Sequence, residues 1–399
     1  MRAWLLLLVF AVLAHSSIIS YRVLNLYEGK SCAFIFRVDD VNPCKNVTIG
    51  PNGWYDPFLV SNLTREYKIK TVWGVITSGG PHYAGKVLSC RFRWRNYLKM
   101  LSDFDEIASH SRWHLTPHKR KILNLTEADI IGSYYDLVDQ GLHVITFIWP
   151  YGAFNAEQAK IAHEKFLILM GTWAANPQKI LWTLFNAPKI SATRATIMFG
   201  GNVPLWKIRK PLENCIAHGG AVVLITHPHN TAFKSPQVAR ETLTKIFKLV
   251  NSLRDKLWIT TPGEVFSYHE IAVHANLTEV SPDSLIIRVN NFTYSNRLFN
   301  VPISLEVIVT SRPKEVLVNG TELPHVEKAF SDIGNKSSPN VGWHYSGEGP
   351  YTITMDVLAK PGKVYSIRIL EEPSTSLYTP LIALLALLMI PLIEKVRRK

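Results

Sequence analysis

The chain has 399 residues, of which 47% are hydrophobic and 19% charged, enough apolar material for sizeable cores and against a disordered chain. Lys and Arg number 44 against 31 Asp and Glu, a net charge of +13 that suits anionic surroundings such as acidic glycans or lipid headgroups. None of the 4 cysteines forms a Cys-x-x-Cys, which argues against a cysteine zinc site.

At the amino end, Met1-Arg2 precedes an apolar stretch from Trp4 to Leu13, with Ala14 as a cleavage position. Residues 1–16 therefore read as a secretory signal, an uncleaved anchor being the alternative. Ala33 to Val38 reads as a buried strand ending in Asp39 and Asp40, where burial makes charge costly and a compensating partner is required. Thr71 to Ile76 predicts a second strand. Arg91-Phe92-Arg93-Trp94-Arg95 interleaves cations with rings, a composition suited to sugar faces or nucleic acid, or to an ordinary solvated element. Asp105 to Ser109 predicts a third strand leading into His110-Ser111-Arg112-Trp113-His114.

Thr126 to Gln140 predicts a helix closed by Gly141. The next strand, Val144 to Phe147, runs into Ile148-Trp149-Pro150-Tyr151-Gly152, and Asn155 with Gln158 marks a capping box. Phe166 to Met170 and Thr196 to Phe199 are further strands, and Leu212 to His218 is a short helix. Ala221 to Thr226 is a strand that delivers His227, followed by Pro228 and His229. Ser235-Pro236 opens a helix to Asn251, Leu257 to Thr260 is a strand, and Thr261-Pro262-Gly263-Glu264 caps a last helix. This alternation predicts an α/β fold, an incomplete parallel β/α barrel over residues 28–272.

From about Ala275 the pattern changes to short β-rich runs, which predict a small all-β sandwich over 276–371 acting as a spacer. Leu377 to Ile393 carries no charge and predicts one transmembrane helix. The basic tail, 394–399, should stay inside, leaving the bulk of a single-pass cell-membrane protein outside. Seven sequons, at Asn46, Asn62, Asn124, Asn276, Asn291, Asn319 and Asn335, fit a glycosylated exterior and argue against nucleic acid as a partner. Cys32, Cys44, Cys90 and Cys215 then form one or two disulfides, such as Cys32 to Cys44, or remain buried thiols.

Two imidazoles four residues apart share one face of a helical turn, so Asp40, His110 and His114 offer a metal one oxygen and two nitrogens with positions left open. An open divalent site points to hydrolysis. All these segments leave strands, and in parallel barrels the C-terminal strand ends gather on one face. Trp113 and Trp149 lie beside them as apolar walls for a sugar ring, with His229 as a sugar contact.

The set Asp39-Asp40, His110-Ser111-Arg112-Trp113-His114, Pro150-Tyr151 and Ile225-Thr226-His227 resembles the polysaccharide deacetylases with a NodB homology domain, carbohydrate esterase family four. The likeness spans residues 30 to 270, in the family's order. It implies a deformed (β/α)7 barrel that removes N-acetyl or O-acetyl groups from an extracellular polysaccharide or glycan, here in a membrane-anchored, archaeal setting. By resemblance Asp39 is the general base, and Asp40, His110 and His114 hold a divalent metal, zinc ahead of other transition metals. Ser111 braces the loop, the Pro150-Tyr151 turn offers an N–H to the oxyanion, and His227 is the general acid.

Two departures stand out. Ile148 occupies the position of the motif arginine, and no counterpart of the Asp-containing fourth motif occurs between Leu167 and Ala221. They keep open a second class, a degenerate deacetylase-like protein that binds glycan without cleaving it. Ser111 excludes a His-Glu-x-x-His protease, and the β/α alternation opposes a ferrous oxygenase. A metal phosphoesterase using Asp39 and Asp40 would release phosphate in place of acetate.

Overall fold

The computed structural model describes residues 18–42, 48–50, 53–78, 93–114, 125–152, 154–171, 193–201, 203–229 and 232–372. The expected leader, the spanning segment Leu377 to Ile393, Cys44, Cys90 and residues 172–192 of the stretch between Leu167 and Ala221 lie outside them. Among the described residues no helix is long and apolar enough to cross a membrane.

The first part of the chain gives β1 (Ile18–Val23), β2 (Cys32–Val41), β3 (Thr48–Gly50), β4 (Gly53–Tyr55), α1 (Pro57–Glu66), β5 (Thr71–Val75), α2 (Arg93–Leu101), β6 (Glu106–Ser109), α3 (Glu127–Val138) and β7 (Thr146–Ile148). Then come α4 (Ala156–His163), β8 (Ile168–Met170), β9 (Thr193–Met198), α5 (Trp206–His218), β10 (Ala221–Thr226), α6 (Pro236–Ser252), β11 (Leu257–Thr260) and α7 (Pro262–Val273). The remainder is β: β12 (Ala275–Ser281), β13 (Ser284–Val289), β14 (Ile303–Val309), β15 (Pro313–Val318), β16 (Thr321–Glu322), β17 (Gly342–Ser346), β18 (Tyr351–Val357) and β19 (Val364–Glu371).

The parallel sheet runs β8-β7-β6-β5-β2-β10-β9, a curled half-barrel in which β11 also pairs with β2. Among the described residues it has 8 strands, one for each strand read from the sequence and one more than a sevenfold barrel implies. The physical reason is the length of β2. Along one edge its first half, Cys32 to Ile35, pairs with β11, and its second half, from Phe36 to Val41, pairs with β5. The opposite edge, Ala33 to Val38, takes β10.

Alternation divides β2 between two cores. Phe34, Phe36 and Val38 face outward onto Leu59 and Leu63 of α1 and Leu243, Ile246 and Phe247 of α6. On α6 these apolar residues recur at helical spacing, and Ser235 caps the helix by accepting from the Val238 N–H at 3.2 Å. Phe247 is fully buried, and replacing it by Ala would cost about 3–5 kcal/mol. Helix α5 starts at Trp206, earlier than the expected Leu212. Pro211 lies within it, its fixed φ being compatible with helix although the turn loses one hydrogen bond. Cys32 is bonded to Cys215 of α5, not to Cys44, because β2 lies beside the strand that α5 feeds.

The inner residues Ala33, Ile35, Val72, Ala108, Val223 and Ile225 share a core with Leu285, Leu305, Val307, Ile353 and Ile367 of the β-rich part. That part is two antiparallel sheets, β1-β14-β18-β17 and β12-β13-β19-β15-β16. Strand β1 pairs with β14 from Ile18↔Val309 to Val23↔Leu305, so the amino-terminal strand joins residues nearly three hundred positions away. Only His15, Ser16 and Ser17 stand between that strand and the apolar run with its Ala14 cleavage position, so the strand reads as a continuation of the leader. Tyr27 meets Trp258 at a tilt and Trp258 meets Tyr268 edge-on within this shared core, where the β-rich part packs on the barrel.

Candidate active site

The end of β2 carries the site. Alternation puts Ala33, Ile35, Arg37 and Asp39 on one face. Pairing with β5 then slips: Val38 sits opposite Trp73 and Val41 opposite Val75, so Asp39 and Asp40 together face Gly74 in a bulge. Asp40 adopts φ 59°, a left-handed conformation costing a non-glycine residue about 1–3 kcal/mol. The bulge thereby brings two consecutive carboxylates to the same strand end.

Strand β6 ends at Ser109, and the His110 N–H donates to the Val75 carbonyl at 2.8 Å. The expected helical turn is not formed here. Ser111 and His114 have φ of 66° and 47°, and these two left-handed residues fold His110 and His114 together, their rings 4.8 Å apart. Ser111 Oγ accepts from the His114 N–H at 3.0 Å. Arg112 reaches back to Asp136 of α3, with Nε 3.0 Å from Oδ2 and Nη2 3.1 Å from Oδ1, and lies over Gly132, which has no side chain to displace it. Thr77 donates to the same carboxylate at 2.7 Å.

These elements converge on Asp40. Its Oδ1 lies 3.3 Å from His110 Nε2 and 3.0 Å from His114 Nε2. Its Oδ2 lies 3.1 Å from His229 Nε2 and 3.9 Å from His227 Nε2. His110 Nδ1–H donates to the Ile148 carbonyl at 2.9 Å, which fixes the tautomer and leaves Nε2 with its lone pair toward Asp40. One oxygen of Asp40 and one nitrogen of each of His110 and His114 lie within 4.8 Å of one another. Asp40 Oδ1 is buried and accepts no hydrogen bond among the described residues. This donor set fits a divalent transition metal with positions left open.

Asp39 is buried, and the Arg37 guanidinium grips both its oxygens, Nε to Oδ1 at 2.7 Å and Nη2 to Oδ2 at 2.5 Å. Burial pushes the Asp39 carboxyl up, but Arg37 and His110 outweigh it, so its pKa falls below the ordinary value. Asp40 is likewise opposed by burial and held well below the carboxylate range by the neighbouring His110, His114 and His229 imidazoles. Burial lowers His227, the two carboxylates offsetting only part of the effect. Burial also opposes the charged form of His110, yet Asp39 and Asp40 raise its pKa overall.

Of the expected contacts, Tyr151 stands at the mouth, 44% exposed at φ 52° with its ring 5.0 Å from that of His114, while Pro150 is buried beneath it. Trp113 is half-buried beside Arg112. Trp149 does not line the site. It is fully buried and stacked on Phe154, because the strand end turns its indole into the outer core.

Two residues escaped sequence reasoning. Arg37 is one, and its signal was a cation two places before Asp39 on the same strand face. Tyr55 is the other: its hydroxyl accepts from the Asn42 N–H at 2.8 Å and donates to the Asn42 carbonyl at 3.3 Å. Tyr55 also pairs by backbone with His229, and the next N–H, of Asp56, donates to the Pro228 carbonyl at 2.9 Å, so β4 holds both acidic and histidine loops.

No known family profile matches the chain, and no curated protein does. Solved structures with a similar fold include a family 4 carbohydrate esterase from Streptomyces lividans, at 12% identity and TM-score 0.30 over 57% of this chain and 91% of that one. A Mycobacterium smegmatis structure assigned to the polysaccharide deacetylases is similar at 14% identity and TM-score 0.38, over 67% and 99% of the two chains. A family 4 pseudoenzyme from Bacillus anthracis is similar at 16% identity and TM-score 0.30, over 58% and 68%.

Proposed function

We propose that this chain is a metal-dependent hydrolase that removes N-acetyl or O-acetyl groups from an extracellular polysaccharide or glycan. The observation that carries the reading is the convergence on Asp40 of His110 and His114, with Asp39 beside it and His227 within 3.9 Å of its carboxylate. Asp40, His110 and His114 would hold the ion, zinc by the chemistry of the donor set. A bound ion supplies Lewis-acid polarisation and acidifies water.

The chain's own groups carry the proton transfers. Asp39, kept ionised by Arg37, takes a proton from the attacking water. The Tyr151 N–H is offered to the developing oxyanion, a donor of this kind being worth about 3 kcal/mol of barrier. Protonated His227 gives its proton to the departing amine. Burial lowers its pKa, which makes the protonated form a stronger acid. Acetate and a free amine result, or acetate and a sugar hydroxyl where an O-acetyl group is removed.

An exterior, membrane-tethered location accords with the Cys32–Cys215 disulfide and with the exposure of Asn62, Asn276, Asn291, Asn319 and Asn335, the sequon asparagines among the described residues. The test of function is acetate release by the full-length zinc-loaded chain from N-acetylglucosamine oligomers and from acetylated xylan, beside Asp39→Asn and His114→Ala. Turnover above both variants supports the hydrolase. Turnover equal to theirs on every substrate rejects it in favour of a glycan-binding protein.

A further inference from the structure

Arg37 is fully buried in the barrel interior, where Ile35 precedes it on the same strand face and Ile148 lies on a nearby strand. A buried ion pair gives no more stability than apolar residues of the same volume, so packing does not account for it. The pair lies at the mouth end of β2, where Asp39 adjoins the Asp40, His110 and His114 cluster. Both Asp39 oxygens are engaged by one planar fork, which fixes the plane of the carboxylate.

Ile148 approaches the same spot. A Cβ on Gly74 would lie 2.9 Å from Asp39 Oδ1 and 3.2 Å from Ile148 Cδ1, so the isoleucine side chain ends beside the carboxylate. The position at which the sequence lacks an arginine is therefore within reach of Asp39, and the cation sits instead two residues before it.

We infer that Arg37 is a positioning residue, supplying from β2 the guanidinium that orients and compensates Asp39 in place of one at position 148. The inference rests on the reading of Asp39 as general base. It makes the Ile148 substitution a relocation of charge and removes it as a sign of decay. Arg37 itself touches no substrate.

The test compares the full-length chain with Arg37→Met, Ile148→Arg and Arg37→Met/Ile148→Arg, reading thermal midpoint, zinc content and acetate release from N-acetylglucosamine oligomers. Arg37→Met should lower the midpoint and cut kcat about 100-fold at unchanged KM and zinc content. Adding Ile148→Arg should restore the midpoint and at least about tenfold of the turnover. Wild-type kcat in Arg37→Met, or no recovery in the double variant while Ile148→Arg alone stays folded, overturns the inference. Should Arg37→Met fail to fold, folding of the double variant supports it and failure of both, with Ile148→Arg folded, overturns it. A wild type that releases no acetate defeats the functional reading separately. The midpoint then decides: recovery by Ile148→Arg in the Arg37→Met background upholds the relocated charge, and its absence rejects it.

Discussion

Gly74 and Asp39 face each other across the β2 bulge so closely that a Cβ on Gly74 would lie 2.9 Å from Asp39 Oδ1 and 3.4 Å from Asp39 Cα. Glycine here is a requirement of space. The bulge sets two residues of β2 against this one, and the Arg37 grip leaves the carboxylate little room to retreat. Gly74→Ala is expected to displace Asp39 while leaving Asp40, His110 and His114 in place. Acetate turnover should fall about 100-fold, the usual consequence of misplacing a reacting group by an ångström, with zinc affinity nearly unchanged. Steady-state kinetics and zinc titration on one preparation check this, and wild-type turnover would refute it.

The histidine loop depends on a second contact outside the donor set. Arg112 and Thr77 both end on the Asp136 carboxylate of α3. Asp136→Asn keeps the shape but removes the charge that holds Arg112. Loss of such a support lowers metal affinity roughly 10-fold to 100-fold. Competition with a chromophoric chelator measures this directly. Unchanged affinity would mean that the backbone bonds from Thr77 N to Ser111 O and from Ser78 N to Arg112 O suffice.

The strand ends were legible because parallel β/α order forces them together. Asp39, Asp40, His110, His114 and His227 stand at or just beyond strand ends, and the sheet places those ends on one side. Helix starts were equally legible at Thr126, Asn155, Ser235 and Thr261, where the capping side chain accepts from the third residue of the helix. Position-dependent detail was not. A bulge is a difference in count between two strands, so β2 alone gives no sign that Asp39 and Asp40 share a side. The left-handed turns at Ser111 and His114 are likewise set by the loop's anchors, and spacing alone suggested a helix. Trp149 was misread because residues near a site in sequence can face the core. Arg37 was readable: a cation within an apolar run needs a partner, and period two names Asp39.

The junction of barrel and sandwich contains another buried pair. Lys70 and Glu264 are both fully buried with Nζ 2.6 Å from Oε1, and Lys70 also donates to the Gly334 carbonyl at 2.6 Å. Glu264 caps α7 at the same time. Lys70→Met leaves a carboxylate without its cation and should destabilise the chain by about 3–5 kcal/mol. Lys70→Met/Glu264→Gln should recover most of that loss, because neither remaining group is charged. Urea unfolding of the three proteins decides it. Equal stability of the single and double variants would show that the Gly334 contact, not the charge pair, matters.

Asp105 provides a pH dependence remote from the metal-binding residues. It is fully buried, accepting from the Thr71 N–H and from Trp73 Nε1, each at 3.0 Å. Burial outweighs these bonds and raises its pKa from 3.8 to about 6. The folded state therefore holds this proton more tightly than the unfolded state. By linkage the group's contribution is complete below about pH 4 and is lost as pH rises through about 6. A displacement of about two units corresponds to about 3 kcal/mol. Asp105→Asn cannot titrate, so its unfolding free energy relative to wild type should rise by about that amount from pH 4 to pH 7. Urea denaturation at both pH values gives the difference, and parallel pH profiles for the two proteins would show that Asp105 carries its charge in the folded state throughout.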